Sequence, residues 1–116
     1  MDEKIRIRIP RSMVLNDNGD NIMIRFPYHT IYAGYTCKIG RNSCRYLPGN
    51  LIEVLAFSDW SFRLDLNVKK KKSWKCISTK RLPAALFARE IQRSQENPNE
   101  DYIEHFLKEE LDGIQD

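Results

Sequence analysis

Glycine and proline are scarce in this chain, five of each among 116 residues, which excludes collagenous, linker-rich and low-complexity classes. No stretch approaches the roughly 20 consecutive apolar residues that a membrane-spanning helix needs. The opening MDEKIRIRIP has no apolar core of a secretory signal, so no leader is expected. No Asn-x-Ser/Thr acceptor occurs. Cysteines number three, at Cys37, Cys44 and Cys76. An odd count suits a reducing compartment better than a disulfide framework, and the expectation is a cytoplasmic protein with free thiols. Cys76 shares a strand face with Trp74, and both are expected to point inward.

The motifs of familiar chemistry are missing too. There is no phosphate-binding G-x-x-x-x-G-K-[ST], no G-x-G-x-x-G, no H-E-x-x-H and no G-x-S-x-G. Asp17, Asp20, Glu53, Asp59 and Asp65 are scattered rather than clustered as a metal-dependent nuclease would require. Cys37 and Cys44 are separated by six residues, which matches no zinc knuckle, even with Cys76 and His29 as further ligands. The sequence therefore predicts a non-enzyme with no catalytic residues, no metal, no cofactor and no small-molecule substrate. Lasting membrane attachment is not expected, because no basic amphipathic helix or lipidation signal accompanies the lysines.

What the chain does have is charge, unevenly spread. Met1 to Gln95 holds 18 Lys and Arg against 8 Asp and Glu, a balance of +10; Glu96 to Asp116 holds only Lys108 against 8 acids, a balance of −7. A basic body with an acidic end fits a polyanion partner, an acidic segment that docks on its own basic face, or one that repels nucleic acid.

Hydrophobic periodicity places that charge on structure. KIRIRI alternates, with Ile5, Ile7 and Ile9 on one face and Lys4, Arg6 and Arg8 on the other, a half-buried strand with a basic wet side. MVLNDNGDNIMIRF reads as a hairpin about NDNGD. TIYAGYTCKI reads as a strand with Gly34 at a bulge or close approach. GRNSCRYLPGN is expected as a loop around a short strand. LIEVLAF and WSFRLDLNV read as a hairpin joined at Ser58-Asp59, and SWKCIS returns as a third strand, with Lys69 to Lys72 at the second tip. After Thr79 the period becomes helical. Leu82, Ala84, Ala85, Leu86, Phe87, Ala88 and Ile91 form an apolar stripe, and Pro83 in a first turn sets the start near Ser78 to Leu82. Asn99 is a candidate cap for a second, acidic helix packed by Ile103, Phe106, Leu107, Leu111 and Ile114. The expected fold is α+β in one domain: five to seven antiparallel strands over residues 1–78, curled into a twisted sheet or small barrel. Two C-terminal helices follow over 79–116.

The functional expectation follows the cations. Arg6, Arg8, Lys38, Arg41, Arg45, Lys69, Lys70, Lys71, Lys72 and Lys75 are candidate phosphate contacts, and Tyr35 and Tyr46 are candidate stacking or groove-lining rings. The expected partner is nucleic acid or a nucleic-acid-bound protein. Recognition would be electrostatic, since no base-reading module is recognisable. A second reading, from another class, is a protein–protein inhibitor or adaptor of phage or mobile-element type that blocks a host nucleic-acid enzyme. It would use the basic face or the acidic end, with Glu104, Glu109 and Glu110 as partner contacts.

Overall fold

In a computed structural model of the chain, residues 3–96 are described. They form eight strands and one α-helix in an α+β arrangement. The strands are β1 (Lys4–Pro10), β2 (Val14–Asp17), β3 (Asn21–Arg25), β4 (Thr36–Gly40), β5 (Cys44–Leu47), β6 (Leu51–Phe57), β7 (Ser61–Lys70) and β8 (Ser73–Pro83), and the helix is α1 (Ala84–Ser94). The strands do not close into a barrel. They make two antiparallel sheets, one in the order β1-β6-β5 and the other β2-β3-β4-β7-β8. The expected second helix lies outside the described residues.

The chain changes sheet after β1, after β4 and after β6. Short 3₁₀ turns at Arg11–Met13 and Arg41–Ser43 make the first two corners. The Arg11 N–H donates to the Asn50 carbonyl and the Arg41 N–H to the Asp20 carbonyl, each at 2.9 Å. The third crossing corrects the expected hairpin between LIEVLAF and WSFRLDLNV. Those segments are β6 and β7, and they belong to different sheets. Phe57 and Trp60 meet edge to face at 5.3 Å, and Trp60 N–H donates to the Phe57 carbonyl at 3.0 Å. That tight corner turns the chain away from β6 instead of folding it back along the same ladder.

Alternation decides which residues enter the core. Ile7 and Ile9 of β1, Ile22 and Ile24 of β3, Cys37 and Ile39 of β4, Ile52 and Val54 of β6, and Phe62 and Leu64 of β7 are all buried. Both sheets thus turn apolar faces to one core. Helix α1 packs on β1, β7 and β8 and so touches both sheets, and its Phe87 is fully buried. Its ring stacks on Phe62 with centroids 4.2 Å apart and meets Phe26 edge-on at 5.9 Å.

Two other boundaries differ from the periodicity. Residues expected to open the helix continue β8 as far as Pro83, because Leu82, Arg81, Lys80 and Thr79 pair with Phe62, Arg63, Leu64 and Asp65. Pro83 lacks an N–H and ends the ladder, and it caps the helix from outside, with Ala84 N–H donating to the Trp60 carbonyl at 2.8 Å. The strand expected over TIYAGYTCKI is shortened to β4, with residues 28–34 folded into turns. Tyr32 packs against Phe26 and Tyr35 in edge-to-face contacts, and Gly34, at φ +82°, supplies a left-handed bend beside Leu66. Aromatic packing outweighs extended propensity in this segment.

Truncation of Phe87 should cost about 3–5 kcal/mol, the range for a large buried aromatic. Urea denaturation of Phe87→Ala checks this. Alkaline pH should also weaken the fold. Burial, with the nearby Asp65 and Cys44 charges behind it, pushes the Cys37 thiol up to about 12 from 9.0. The native state holds a proton there that the unfolded chain gives up, so the contribution is complete below pH 9 and shrinks as pH rises toward 12. Thermal melts should show this fall, and Cys37→Val should flatten it.

Candidate nucleic-acid interface

The candidate cations divide between the two sheets. On the three-stranded sheet, Arg6 pairs with Leu55, Arg8 with Glu53, and Arg45 with Glu53 from the other side. Paired residues share a face, so Lys4, Arg6, Arg8 and Arg45 form one exposed basic surface on the side away from the core. Glu53 sits in its centre and is only 6% exposed. Arg45 reaches its carboxylate through Nη2 at 3.0 Å and Nε at 3.1 Å, and Arg8 Nε lies 3.8 Å away. One carboxylate therefore orients two guanidinium groups that remain mostly open to solvent. A hollow of about 230 Å³ borders them, lined by Arg6, Asn42, Ser43, Arg45, Glu53 and Leu55 among others.

Arg41 and Tyr46 belong to a polar cluster at the corner between the sheets. Tyr46 Oη donates to Asp17 Oδ2 at 2.6 Å, and Arg41 Nε donates to the same oxygen at 3.2 Å. Arg41 Nη1 also donates to the Cys44 carbonyl at 2.9 Å. The Arg11 and Arg41 guanidinium carbons lie 4.9 and 5.0 Å from the Tyr46 ring centre. The Tyr46 hydrogen bond, with the Gly19 N–H and Arg41 behind it, lowers the Asp17 pKa, and the same bond raises that of Tyr46. These side chains are committed to one another. Tyr35 is half-buried against the core, edge-on to Tyr32, and shares a 2.6 Å hydrogen bond with Ser78 Oγ. Neither tyrosine is a bare stacking surface. Lys38 stands on the outer face of β4, opposite Met23.

The remaining lysines occupy a separate feature, the outer half of the β7–β8 hairpin. Lys69 pairs with Trp74 and Lys70 with Ser73, and Lys71 and Lys72 make the turn. Every residue from Lys69 to Ile77 is exposed. Lys71 has φ +57°, a left-handed conformation that costs a residue with a side chain about 1–2 kcal/mol. This tip therefore carries charge where glycine would be favoured on backbone grounds.

The arm also corrects the expectation for Cys76 and Trp74. Simple alternation back from buried Leu82 points both inward. A bulge between Leu66 and Asn67 inserts Ile77 without a partner and shifts the register. Such a slip flips all subsequent side chains. Cys76 now faces Asn67 and Trp74 faces Lys69, on the polar face that β7 already presents through Arg63 and Asp65. Trp74 is 69% exposed, and Cys76 is an exposed free thiol. Sequence reasoning passed over Trp74 as a site residue; its position in a run of lysines was the available signal, and the bulge hid which face it takes.

Among the described residues no three of His, Cys, Asp and Glu come together as metal ligands, and no helix is long and apolar enough to cross a membrane. Glu104, Glu109 and Glu110 lie outside the described residues. The chain matches no protein family, no curated protein and no solved structure.

Glu53→Gln should remove the carboxylate that neutralises Arg8 and Arg45 while keeping its shape. The expected cost is about 1–2 kcal/mol, since the arginines are largely solvated. If this face meets polyanions, heparin retention should rise in the same variant.

Proposed function

We propose that this protein binds nucleic acid, or a protein already on nucleic acid, through its basic β surfaces and without catalysis. The observation that carries this reading is the projecting β7–β8 arm. From Lys69 to Lys75 it presents five lysines and no acid, all exposed. A dense, solvated patch of one sign attracts phosphate and releases counterions, which gives affinity without base readout. Lysines at a hairpin tip also serve solubility and guard a sheet edge. Here the arm extends past its anchors, Tyr35 with Ser78 and Gly34 beside Leu66, and ends in a strained turn of lysines. Arg6, Arg8 and Arg45, oriented by Glu53, offer a second phosphate surface on the other sheet.

The inhibitor or adaptor reading has its own supporting observation. Gln95 Nε2 donates to the Arg8 carbonyl at 3.4 Å, so the acidic stretch from Glu96 onward begins beside the basic strand β1. Acidic side chains there would compete with phosphate for Arg6 and Arg8, or would meet a basic protein in place of nucleic acid.

Fluorescence anisotropy with labelled oligonucleotides across a salt series tests the reading. Wild-type affinity should fall linearly in log–log form. Replacing Lys69 to Lys72 by Glu should abolish binding near physiological salt, and single Lys→Ala changes should each lower the slope by about one. Absence of binding to both single and double strands at low salt would sink the proposal. In the same assay, Glu104→Gln, Glu109→Gln and Glu110→Gln together should tighten binding if the acidic end competes with phosphate. Loss of a captured protein partner in that triple variant, with nucleic-acid affinity unchanged, would favour the adaptor reading.

A further inference from the structure

We infer that Trp74 is a base-stacking platform, and that the ligand of the β7–β8 arm is single-stranded nucleic acid. This rests on the nucleic-acid reading above and specifies its ligand.

The geometry begins with the bulge at Ile77. Without it, Trp74 would share the inward face with Leu82 and Ser78. With it, the indole stands on the outer face, directly across from Lys69, while Asn67 and Cys76 form the next pair toward the body. Cross-strand neighbours of this kind have Cβ atoms about 5 Å apart, so the Lys69 ammonium can reach along the indole's flank. Lys71 and Lys72 close the tip, and Lys75 lies on the opposite side of the ribbon, across from Val68.

The contrast with the other tryptophan is informative. Trp60 is 39% exposed and has a ring partner in Phe57. Trp74 is 69% exposed, and no aromatic ring among the described residues packs on it. It contributes little to the core, so its stabilising role in the isolated chain is small. A large flat ring set among cations, on a two-stranded ribbon clear of the body, combines the two elements of sequence-tolerant single-strand binding: a π surface for a base and charge for the phosphates beside it.

Duplex DNA suits this face less well. A β-ribbon does fit the major groove, but groove readout depends on hydrogen-bonding side chains directed at base edges. Beyond the bulge, this face presents Asn67, Cys76, Lys69 and Trp74, and the indole offers a single N–H and a broad apolar plane. In a stacked duplex the base faces are covered, and an indole has no base to stack on. In a single strand they are accessible. The stacking face and the charge on this arm therefore favour unpaired bases.

The test uses the full-length chain with Trp60→Phe, which leaves Trp74 as its one tryptophan. Titration with a short oligothymidylate should quench the indole fluorescence, whereas a duplex of equal length should quench it little. By anisotropy, Trp74→Ala should weaken oligothymidylate binding roughly five- to a hundredfold, as expected for one lost base stack. Trp74→Phe should recover most of that loss, and duplex affinity should stay within about twofold. An unchanged melting temperature confirms that Trp74→Ala folds normally. If oligothymidylate binds without quenching, or Trp74→Ala weakens single strand and duplex equally, the stacking site is overturned while the electrostatic reading survives. If neither nucleic acid binds at low salt, both fall, and the arm's partner is a protein.

Discussion

The packing of helix α1 on both sheets, with Phe87 buried beneath it, is the contact on which this architecture depends. Neither a three-stranded nor a five-stranded sheet can leave its apolar face to water, and the strands do not close to solve the problem by themselves. Helix α1 supplies the missing cover. Phe87 stacks on Phe62 from β7 and meets Phe26 beyond β3, while Ile91 and Ala84 bury with it. At the far end of the helix, His29 Nε2 donates to the Ser94 carbonyl at 2.7 Å and ties the 26–35 segment down. That segment in turn places Gly34 and Tyr35 against the middle of the hairpin. The base of the arm is thus tied down on the same inward face of the sheet on which Phe87 stacks.

Beyond those anchors the arm depends on its own ladder. A two-stranded ribbon is marginal alone, and this one adds a positive φ at Lys71 and four consecutive lysines that repel one another. A counter-charge near the tip would relieve that repulsion, and phosphate is one such charge. Local cost at the tip and the concentrated positive charge are features of the same residues. The outer face of the three-stranded sheet is built differently. Glu53 holds Arg8 and Arg45 in place at the expense of one unit of positive charge, so that surface is ordered and only moderately basic. The two basic regions therefore have distinct characters, one orienting guanidinium groups and the other concentrating ammonium groups.

Much of the fold was legible because period-two alternation is a local signal. Ile5, Ile7 and Ile9, the NDNGD turn, and the polar and apolar faces of β7 near its start follow the chain as read. The exposed Lys69 to Lys72 tip does as well. What escaped was non-local. Whether β6 pairs with β7 or with β1 depends on the Phe57–Trp60 corner and on long-range ladders. The reach of β8 into an apparently helical stretch depends on the partners that β7 offers to Thr79 through Leu82. The grouping of Arg41 with Asp17 and Tyr46 brings together residues 24 and 29 positions apart from the aspartate, which no spacing rule suggests.

By itself, the sequence determined the composition of the surfaces: a basic body, an acidic end, apolar stripes of period two and then 3.6, and lysines at a hairpin tip. Those follow from residue order and side-chain chemistry alone. Only the tertiary structure decided which cations share a surface and which side of the ribbon Trp74 occupies. The reason is that face assignment along a strand propagates from the last fixed residue, and a single unpaired residue, Ile77, reverses it for all that lies beyond. Without that insertion the same indole would share the face of Leu82 and Ser78, and with it stands in solvent beside Lys69.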